Sequence, residues 1–485
     1  MNPVLAGRPE YPRADESYWL YLLRRCRVYA WRRRQELRGF ASAADWQRHC
    51  ASVRDRFRAA LGPFPERTPL NPRLVGALER DDYVVEKLLI ESQPGFVVTV
   101  NLYRPPVVRT PAPAILNPLG HWAQSKAEAL VQARGIGLAR QGYVALVYDP
   151  IGQGERSQFS DAATGAIPIA LGTSQHSAAC NPCFLIGQTL INYMVWDGVR
   201  LLDYLESRPD VDASRIGCTG ASGGGTYTMF LTAFDPRIKA AVPVCSTSTY
   251  ERMLAQGQIG EPCQDPVASY RDDLDVADLL MCAAPTPIQI VAATHDSFPL
   301  IGAREAYLDL RDCYTALGVP ERAQLVEVPA HHDYSRAMRE AAYAWFNRWL
   351  SHDGDAIEPP YEPEPAERLW CTATGQVLTS LGGETVLSLN RSRARAIAVP
   401  ASRLETAAAV AAERDRIREA VAEVLGLATS PPRPSPSEME RGGTAASPSV
   451  RGCLTPGPSP EAGERRTEEW YYRHDAQSGR RQRRS

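Results

Sequence analysis

Ser222 is the residue of this chain whose surroundings point most clearly to chemistry, because it lies in the pattern Gly-x-Ser-x-Gly at positions 220–224. An apolar run at 215–219 precedes the pattern, and a run of helical character at 226–234 follows it. A serine on a sharp strand-to-helix turn needs small neighbours, since the backbone there is strained and crowded. The pattern favours a nucleophilic serine, with the backbone N–H of Gly223 facing a developing oxyanion. The alternatives are a glycine-rich turn or a phosphate-binding loop without its lysine.

A catalytic serine also needs a base to take its proton and an acid to orient that base. Asp296 follows an apolar run at 288–293, and the pair His331 and His332 follows another at 323–328. In open α/β sheets, catalytic groups gather where the strands end. The order serine, acid, histidine therefore predicts Asp296 as the acid and one of the two histidines as the base. Adjacent loop residues point in different directions, so the spacing leaves the choice of histidine open.

Two further loops fit a site of this kind. The Gly120-His121 step follows the apolar run 114–116 and offers a second backbone N–H to an oxyanion. The segment 149–156 carries two glycines after another apolar run. Without a third glycine a nucleotide-binding loop is less favoured than a structural turn at the rim of the pocket.

The eleven cysteines are scattered along the chain. Cys180 and Cys183 form a C-x-x-C pair, and His176 precedes it by four residues. A zinc site is one interpretation of this spacing, but the pair lacks a second C-x-x-C. Free thiols in a reducing compartment are expected, and the predicted chemistry needs neither a metal nor an organic cofactor.

The composition argues against two classes of protein, nucleic-acid-binding proteins and membrane-spanning proteins. The chain has 485 residues, a formal net charge of −2 and 44% hydrophobic residues. A nearly neutral chain argues against a dedicated nucleic-acid partner, and no apolar stretch approaches the roughly 18 residues of a membrane span. The first residues lack the apolar core of a secretory signal, so a cytoplasmic location is expected. The oligomeric state is left open.

The periodicity of apolar residues predicts the fold. Residues 15–60 have helical spacing, whereas 83–91 and 96–103 alternate as two strands around a Pro-Gly turn. Beyond them, short apolar runs alternate with helical runs as far as 350. This pattern predicts an α/β protein with a mostly parallel, doubly wound sheet and helices on both faces.

Four regions are predicted: an N-terminal helical segment at 1–80, a catalytic domain at 81–352, a small C-terminal appendage at 353–428 and a disordered tail at 429–485. Within the appendage, turn glycines and short apolar alternation at 370–390 indicate a small β element. The tail is rich in proline, serine and arginine and cannot bury a core.

Taken together, these motifs resemble the α/β-hydrolase superfamily and, within it, the acetyl xylan esterase-like hydrolases. The resemblance covers about residues 60 to 350 and rests on the runs Tyr148-Asp149-Pro150-Ile151-Gly152-Gln153-Gly154-Glu155, Asp235-Pro236-Arg237, Asp296-Ser297-Phe298-Pro299 and His332-Asp333-Tyr334, together with the serine pattern. It implies the α/β-hydrolase fold, with Ser222 as nucleophile, Asp296 as acid and His332 as base. His331 stays as the alternative base, and the oxyanion donors would be the backbones of Gly223 and His121.

The expected activity is hydrolysis of a short acyl ester, most simply on a carbohydrate, through an acyl-enzyme. Two other classes remain open. One is a peptidase of the same fold, and the other is a non-catalytic protein that binds carbohydrate or protein.

Overall fold

A computed structural model describes residues 16–161, 163–258, 261–397 and 404–424. The chain forms two compact units, residues 1–402 and residues 403–485. The boundaries predicted near 80 and 352 fall inside the first unit, and the boundary near 428 falls inside the second. The tail predicted to be disordered, at 429–485, lies outside the described residues.

Within the described residues, nine strands form one sheet in the first unit. They are β1 (Arg73–Glu79), β2 (Val84–Gln93), β3 (Phe96–Arg104), β4 (Ala112–Asn117), β5 (Val144–Tyr148), β6 (Val211–Ala221), β7 (Ile238–Val244), β8 (Ile288–His295) and β9 (Ala323–His331). Their order across the sheet is β1-β2-β3-β5-β4-β6-β7-β8-β9.

The described helices alternate with these strands. They are α1 (Ser17–Arg38), α2 (Ala43–Leu61), α3 (Ala129–Arg140), α4 (Thr173–Phe184), α5 (Leu190–Ser207), α6 (Gly223–Phe234), α7 (Tyr250–Ala255), α8 (Val267–Arg271), α9 (Val276–Cys282), α10 (Leu300–Ala316), α11 (Arg336–Trp349), α12 (Ala366–Leu369), α13 (Val377–Ser380), α14 (Val386–Ala396) and α15 (Ala407–Val424).

The sheet is antiparallel at one end and parallel through the rest. β1, β2, β3 and β5 pair in antiparallel fashion, whereas every pair from β5 through β4 to β9 is parallel. Crossover helices join the parallel strands, as this arrangement requires. The predicted α/β-hydrolase fold, with its opening hairpin and its mostly parallel sheet, is confirmed.

Side chains of the central strands alternate between two cores. Leu116 and Leu146 pack in a core with α5, α6 and α10, whereas Ile115 and Val147 pack in another with α3 and α11. Because successive side chains of a strand point to opposite faces, one apolar strand supplies both cores. Helices therefore cover both faces of the sheet, as predicted.

The segment predicted as helical at 1–80 contains two helices, α1 and α2, but it also contains the edge strand β1. A capping box at Ser42 and Asp45 begins α2, with the Ser42 hydroxyl accepting from the Asp45 N–H at 3.4 Å and the Asp45 carboxylate accepting from the Ser42 N–H at 2.8 Å. α2 buries Trp46, Val53 and Phe57 in the core that contains α5 and α6. These helices thus extend the fold of the first unit.

The β element expected at 370–390 is wrong, because the structure has short helices there. Glycines with positive φ, Gly382 at 68° and Gly383 at 111°, follow α13, and the Thr385 hydroxyl caps the start of α14 by accepting from the Ser388 N–H at 3.1 Å. The apolar residues there belong to helices instead of strands, since Val377 and Val386 are buried residues of α13 and α14.

The described part of the second unit is α15, an alanine-rich helix. Val410 and Ile417 are each 49% exposed on it. Among the described residues, no helix has the length and apolar character needed to cross a membrane.

Candidate active site

Ser222 lies at the turn between β6 and α6 in a strained backbone conformation, with φ 57° and ψ −126°. A positive φ is costly for a residue with a side chain and occurs where the surrounding structure enforces it. The Ser222 N–H donates to the Val244 carbonyl of β7 at 2.9 Å, which fixes the turn to the neighbouring strand. The half-buried side chain therefore stands at the carboxyl edge of the sheet.

The two glycines that define the serine pattern are required by close contacts. A Cβ on Gly220 or on Gly224 would lie 2.4 Å from the Pro118 carbonyl oxygen, inside any allowed contact. Gly223, the variable position between them, has room, since its nearest neighbour would be His121 Cε1 at 3.5 Å. The two glycines are therefore needed because the turn packs tightly on the loop after β4.

Asp296 and His332 meet at the same sheet edge. His332 Nδ1 lies 2.6 Å from Asp296 Oδ1, and the Asp296 side chain is only 2% exposed. Asp296 Oδ1 also accepts from the Phe298 N–H at 2.9 Å, so the shared proton belongs on His332 Nδ1. Nε2 then carries the lone pair that a general base needs. The Phe298 ring stacks on His332 at 5.6 Å with a 10° interplanar angle.

The pairing of β8 with β9 separates the two candidate histidines. His295 of β8 is the register partner of His331 of β9, and their rings lie 5.6 Å apart. The next residues, Asp296 and His332, point the other way because side chains alternate along an extended chain. His331 is exposed and lies beside His295, whereas His332 contacts Asp296. This geometry favours His332 over the alternative His331.

The Ser222 hydroxyl and His332 are not joined by a hydrogen bond in the described structure. The strand of Ser222 and the loop of His332 are nevertheless linked, because the Thr219 and Tyr334 hydroxyls lie 2.7 Å apart. A catalytic hydrogen bond is often loose before substrate binds.

Cys245 is a site neighbour that sequence reasoning did not single out. Its thiol, the Asp296 carboxylate and a ring nitrogen of His332 all lie within 4.8 Å of one another. Burial, reinforced by the Asp296 charge, raises the pKa of the Cys245 thiol well above its ordinary value. Cys245 is therefore a neutral thiol beside Asp296, and a neutral thiol is a weak nucleophile.

The Gly120-His121 step packs directly against the serine turn. A Cβ on Gly120 would lie 2.6 Å from the Ala221 carbonyl oxygen and 2.9 Å from Ser222 Cβ. Only glycine permits this approach. The predicted oxyanion donors, the N–H groups of His121 and Gly223, thereby come from two segments in contact.

Gln153 orients this step from the two-glycine loop after β5. Its Nε2 donates to the Gly120 carbonyl at 2.7 Å and to the Trp122 carbonyl at 3.3 Å. In a trans peptide the C=O and the following N–H point in opposite directions. Holding the Gly120 carbonyl on Gln153 therefore turns the His121 N–H away from that amide.

Buried ion pairs anchor the loop that carries Gln153. Lys126 Nζ contacts Glu155 and lies 2.7 Å from Asp149 Oδ2, and all three side chains are buried. Glu155 also accepts from the backbone N–H groups of Cys371 and Thr372 at 2.7 and 2.8 Å. The loop is held as a structural turn behind the site, in line with the interpretation of its two glycines.

A second cluster of polar side chains surrounds the His121 ring. His121, His176, Glu261 and Cys263 each place a potential ligand atom within 4.8 Å of the others. Burial, with a smaller contribution from His121, lowers the pKa of His176 to about 3, so its imidazole is neutral. Glu261 and Cys263 are not predicted from the sequence, since their segment has no motif spacing.

The C-x-x-C pair lies apart from this cluster, inside α4. The Cys183 thiol donates to the Ala179 carbonyl at 3.3 Å and accepts from the Asn390 amide at 3.3 Å. Cys180 and Cys183 are both buried among apolar residues. His176, on the same helix, joins the cluster with Glu261 and Cys263 instead.

This chain is similar to a known protein family and to several known proteins. Residues 31–297 match the Abhydrolase family. The chain is 25% identical over 312 residues to a putative hydrolase, YtaP, of Bacillus subtilis (strain 168), a match that covers 62% of this chain and 99% of that relative.

Two further proteins are similar. One is 4-O-methyl-glucuronoyl methylesterase 1 of Wolfiporia cocos (strain MD-104), at 25% identity over 190 residues, which cover 33% of this chain and 46% of the relative. The other is the solved structure of methylesterase BT1017, at 24% identity and a TM-score of 0.59, with 78% of each chain covered. The matched family spans more than half of the sequence and the fold agrees with it, so this chain belongs to the Abhydrolase family and has the α/β-hydrolase fold.

Proposed function

We propose that this protein is a serine hydrolase of carboxylic esters, with Ser222 as nucleophile, His332 as base and Asp296 as the orienting acid. The observation that carries the proposal is the 2.6 Å contact of His332 Nδ1 with Asp296, at the sheet edge where the strained Ser222 turn ends. The same three residues follow one another along the chain in the order typical of the fold.

In the proposed reaction, His332 Nε2 takes the Ser222 hydroxyl proton as Oγ attacks the ester carbonyl carbon. The negative charge on the carbonyl oxygen faces the backbone N–H groups of Gly223 and His121. Collapse of this tetrahedral species breaks the bond to the alcohol, which leaves with the proton from His332. Water, deprotonated by His332, then attacks the acyl-enzyme, and the acid is released with Ser222 restored.

For the substrate, we propose an ester of a carbohydrate, and two kinds of ester compete. The resemblance to acetyl xylan esterase-like hydrolases favours a sugar that supplies the alcohol and carries a short acyl group. The names of two similar proteins, a glucuronoyl methylesterase and a methylesterase, favour a sugar acid esterified with an alcohol. Both use the same carbonyl chemistry, so the fold does not choose between them.

The activity is tested by kcat/KM for acetylated xylose, methyl glucuronate and an aminoacyl amide, with wild-type protein and with Ser222→Ala. We expect one of the two sugar esters to be preferred, and Ser222→Ala to lose about 10⁴-fold or more in kcat. Full turnover by Ser222→Ala would contradict the nucleophile. Preference for the amide would indicate the peptidase class, and failure of an active-site fluorophosphonate to label Ser222 would indicate a non-catalytic binding protein.

A further inference from the structure

The side-chain cluster around His121 brings four potential metal ligands within 4.8 Å of one another. His121 Nε2 lies 3.0 Å from Glu261 Oε2 and 3.1 Å from Cys263 Sγ, and Cys263 Sγ lies 3.6 Å from Glu261 Oε2. Ligands held about 2.0–2.3 Å from a tetrahedral zinc ion are roughly 3.3–3.8 Å apart. The separations in the cluster are close to that range, and the His176 ring approaches the His121 ring at 5.1 Å between centroids.

His176 is the observation that points to a cation rather than to a hydrogen-bonded cluster. It is 1% exposed, and its Nε2 lies 2.7 Å from the Ile151 carbonyl, which can only accept. Nε2 therefore carries the proton, and Nδ1 presents a lone pair. Nδ1 is buried and has no hydrogen-bond partner in the described structure. A carbonyl that fixes the tautomer of a ligating histidine is a recurrent feature of metal sites.

Hydrogen bonds alone leave this cluster incompletely satisfied. The Glu261 carboxylate can accept the proton of His121 Nε2 and that of the Cys263 thiol. Neither hydrogen bond supplies a donor to His176 Nδ1, which has no partner in the described structure. A divalent cation satisfies the lone pairs of both imidazoles, the carboxylate and the sulfur together.

We propose that His121, His176, Glu261 and Cys263 bind a divalent transition-metal ion, with Zn²⁺ as the ion that fits them best. Two imidazoles, one carboxylate and one thiolate match the ligand preferences of zinc, whereas Ca²⁺ and Mg²⁺ take oxygen ligands. The site departs from the metal-free expectation drawn from the sequence. It also differs from the conceivable site at the C-x-x-C pair, because Cys180 and Cys183 take no part in it.

The ion would join three separate segments beside the serine turn. His121 lies in the loop after β4, His176 in α4, and Glu261 and Cys263 in the segment after α7. Zinc binds the thiolate, so Cys263 releases its proton to solvent as the ion binds. The role of the ion is to hold the His121 backbone in place against the serine turn, and no catalytic step passes through it. The proposal therefore does not depend on esterase activity.

The test uses the full chain, freed of metal with a chelator and then titrated with ZnCl₂ by calorimetry and with CoCl₂ by absorption spectroscopy. We expect a single tightly bound zinc ion per chain and a thiolate-to-cobalt charge-transfer band in the near ultraviolet. Cys263→Ala should abolish that band and weaken zinc binding by at least about 100-fold. Glu261→Gln, at a partly exposed position, should weaken zinc binding by about 10-fold and keep the band.

Cys180→Ser is the matched control, because Cys180 is equally buried and lies one helical turn from His176 on α4. It should keep both the zinc affinity and the cobalt band. The proposal is overturned if the chelated protein, folded by circular dichroism, takes up no zinc. It is also overturned if Cys180→Ser, rather than Cys263→Ala, removes the band. Neither readout involves an ester, so failure here is distinct from failure of the proposed function.

Discussion

Two clusters of side chains lie beside the Gly120-His121 peptide, and they differ in how far the sequence predicts them. Ser222, Asp296 and His332 each follow a strand of one sheet, in an order that the chain itself displays. The cluster of His121, His176, Glu261 and Cys263 comes from a loop, a helix and a segment without motif spacing. The first arrangement follows from parallel strands ending at one edge, whereas the second depends on how the covering segments pack.

The largest expected effect separates the two adjacent histidines at the end of β9. His332→Ala should lower kcat for the preferred ester by about 10⁴-fold, because it removes the imidazole proposed to take the Ser222 proton. His331→Ala, at the exposed position beside His295, should stay within about threefold of wild type. A dead His331→Ala with an active His332→Ala would reverse the assignment.

The acid should matter somewhat less than the base. Asp296→Asn keeps the shape but replaces the carboxylate that holds the proton on His332 Nδ1, so the wrong tautomer becomes available. We expect kcat to fall by about 10³-fold with little change in KM. Steady-state kinetics would measure the split, and a variant that changed KM alone would show that Asp296 acts on binding.

Substitutions of the glycines beside Ser222 test the packing of the serine turn through its stability rather than through activity. Gly224→Ala would place a Cβ 2.4 Å from the Pro118 carbonyl oxygen, and we expect it to lower the free energy of unfolding by about 3 kcal/mol. Gly223→Ala meets only ordinary contacts, and we expect it to stay within about 1 kcal/mol of wild type. Urea unfolding would compare them, and equal losses would contradict the packing described for the turn.

The second cluster should affect stability through its ion. With free zinc at about 100 times the dissociation constant, the free energy of unfolding should rise by about 2.7 kcal/mol in chelated wild-type protein. In Cys263→Ala the same zinc should give less than about 0.5 kcal/mol, since affinity is lost. Denaturant unfolding with and without zinc would show the difference, and an equal gain in both would place the ion elsewhere.

The smallest expected effect concerns Gln153, whose amide holds the Gly120-His121 peptide between the two clusters. Gln153→Leu removes the amide that holds the Gly120 carbonyl, and kcat should fall by about 10-fold with KM nearly unchanged. Gln153→Asn shortens the side chain but keeps the amide, and it should recover part of kcat. If both variants raised KM instead, Gln153 would be a substrate contact rather than a positioning residue.

Some elements escaped prediction for identifiable reasons. β1 is an edge strand whose residues are mostly exposed, so it lacks the apolar alternation by which a strand is recognised. The small β element predicted at 370–390 rested on turn glycines and short apolar alternation, but Gly382 and Gly383 lie between two short helices, α13 and α14. Gln153 was placed in a structural turn, yet its hydrogen bonds to Gly120 and Trp122 join loops far apart in the chain.

The sequence by itself determined the alternation of strands and helices, the small residues around Ser222, and the acid and histidine that follow two later strands. These are local properties, fixed by periodicity and by the crowding of one turn. Only the tertiary structure shows that His332 rather than His331 contacts Asp296, because the register of β8 with β9 sets which side chain faces that carboxylate. It alone also joined Glu261 and Cys263 to His121, since such contacts depend on packing between segments that no spacing in the chain records.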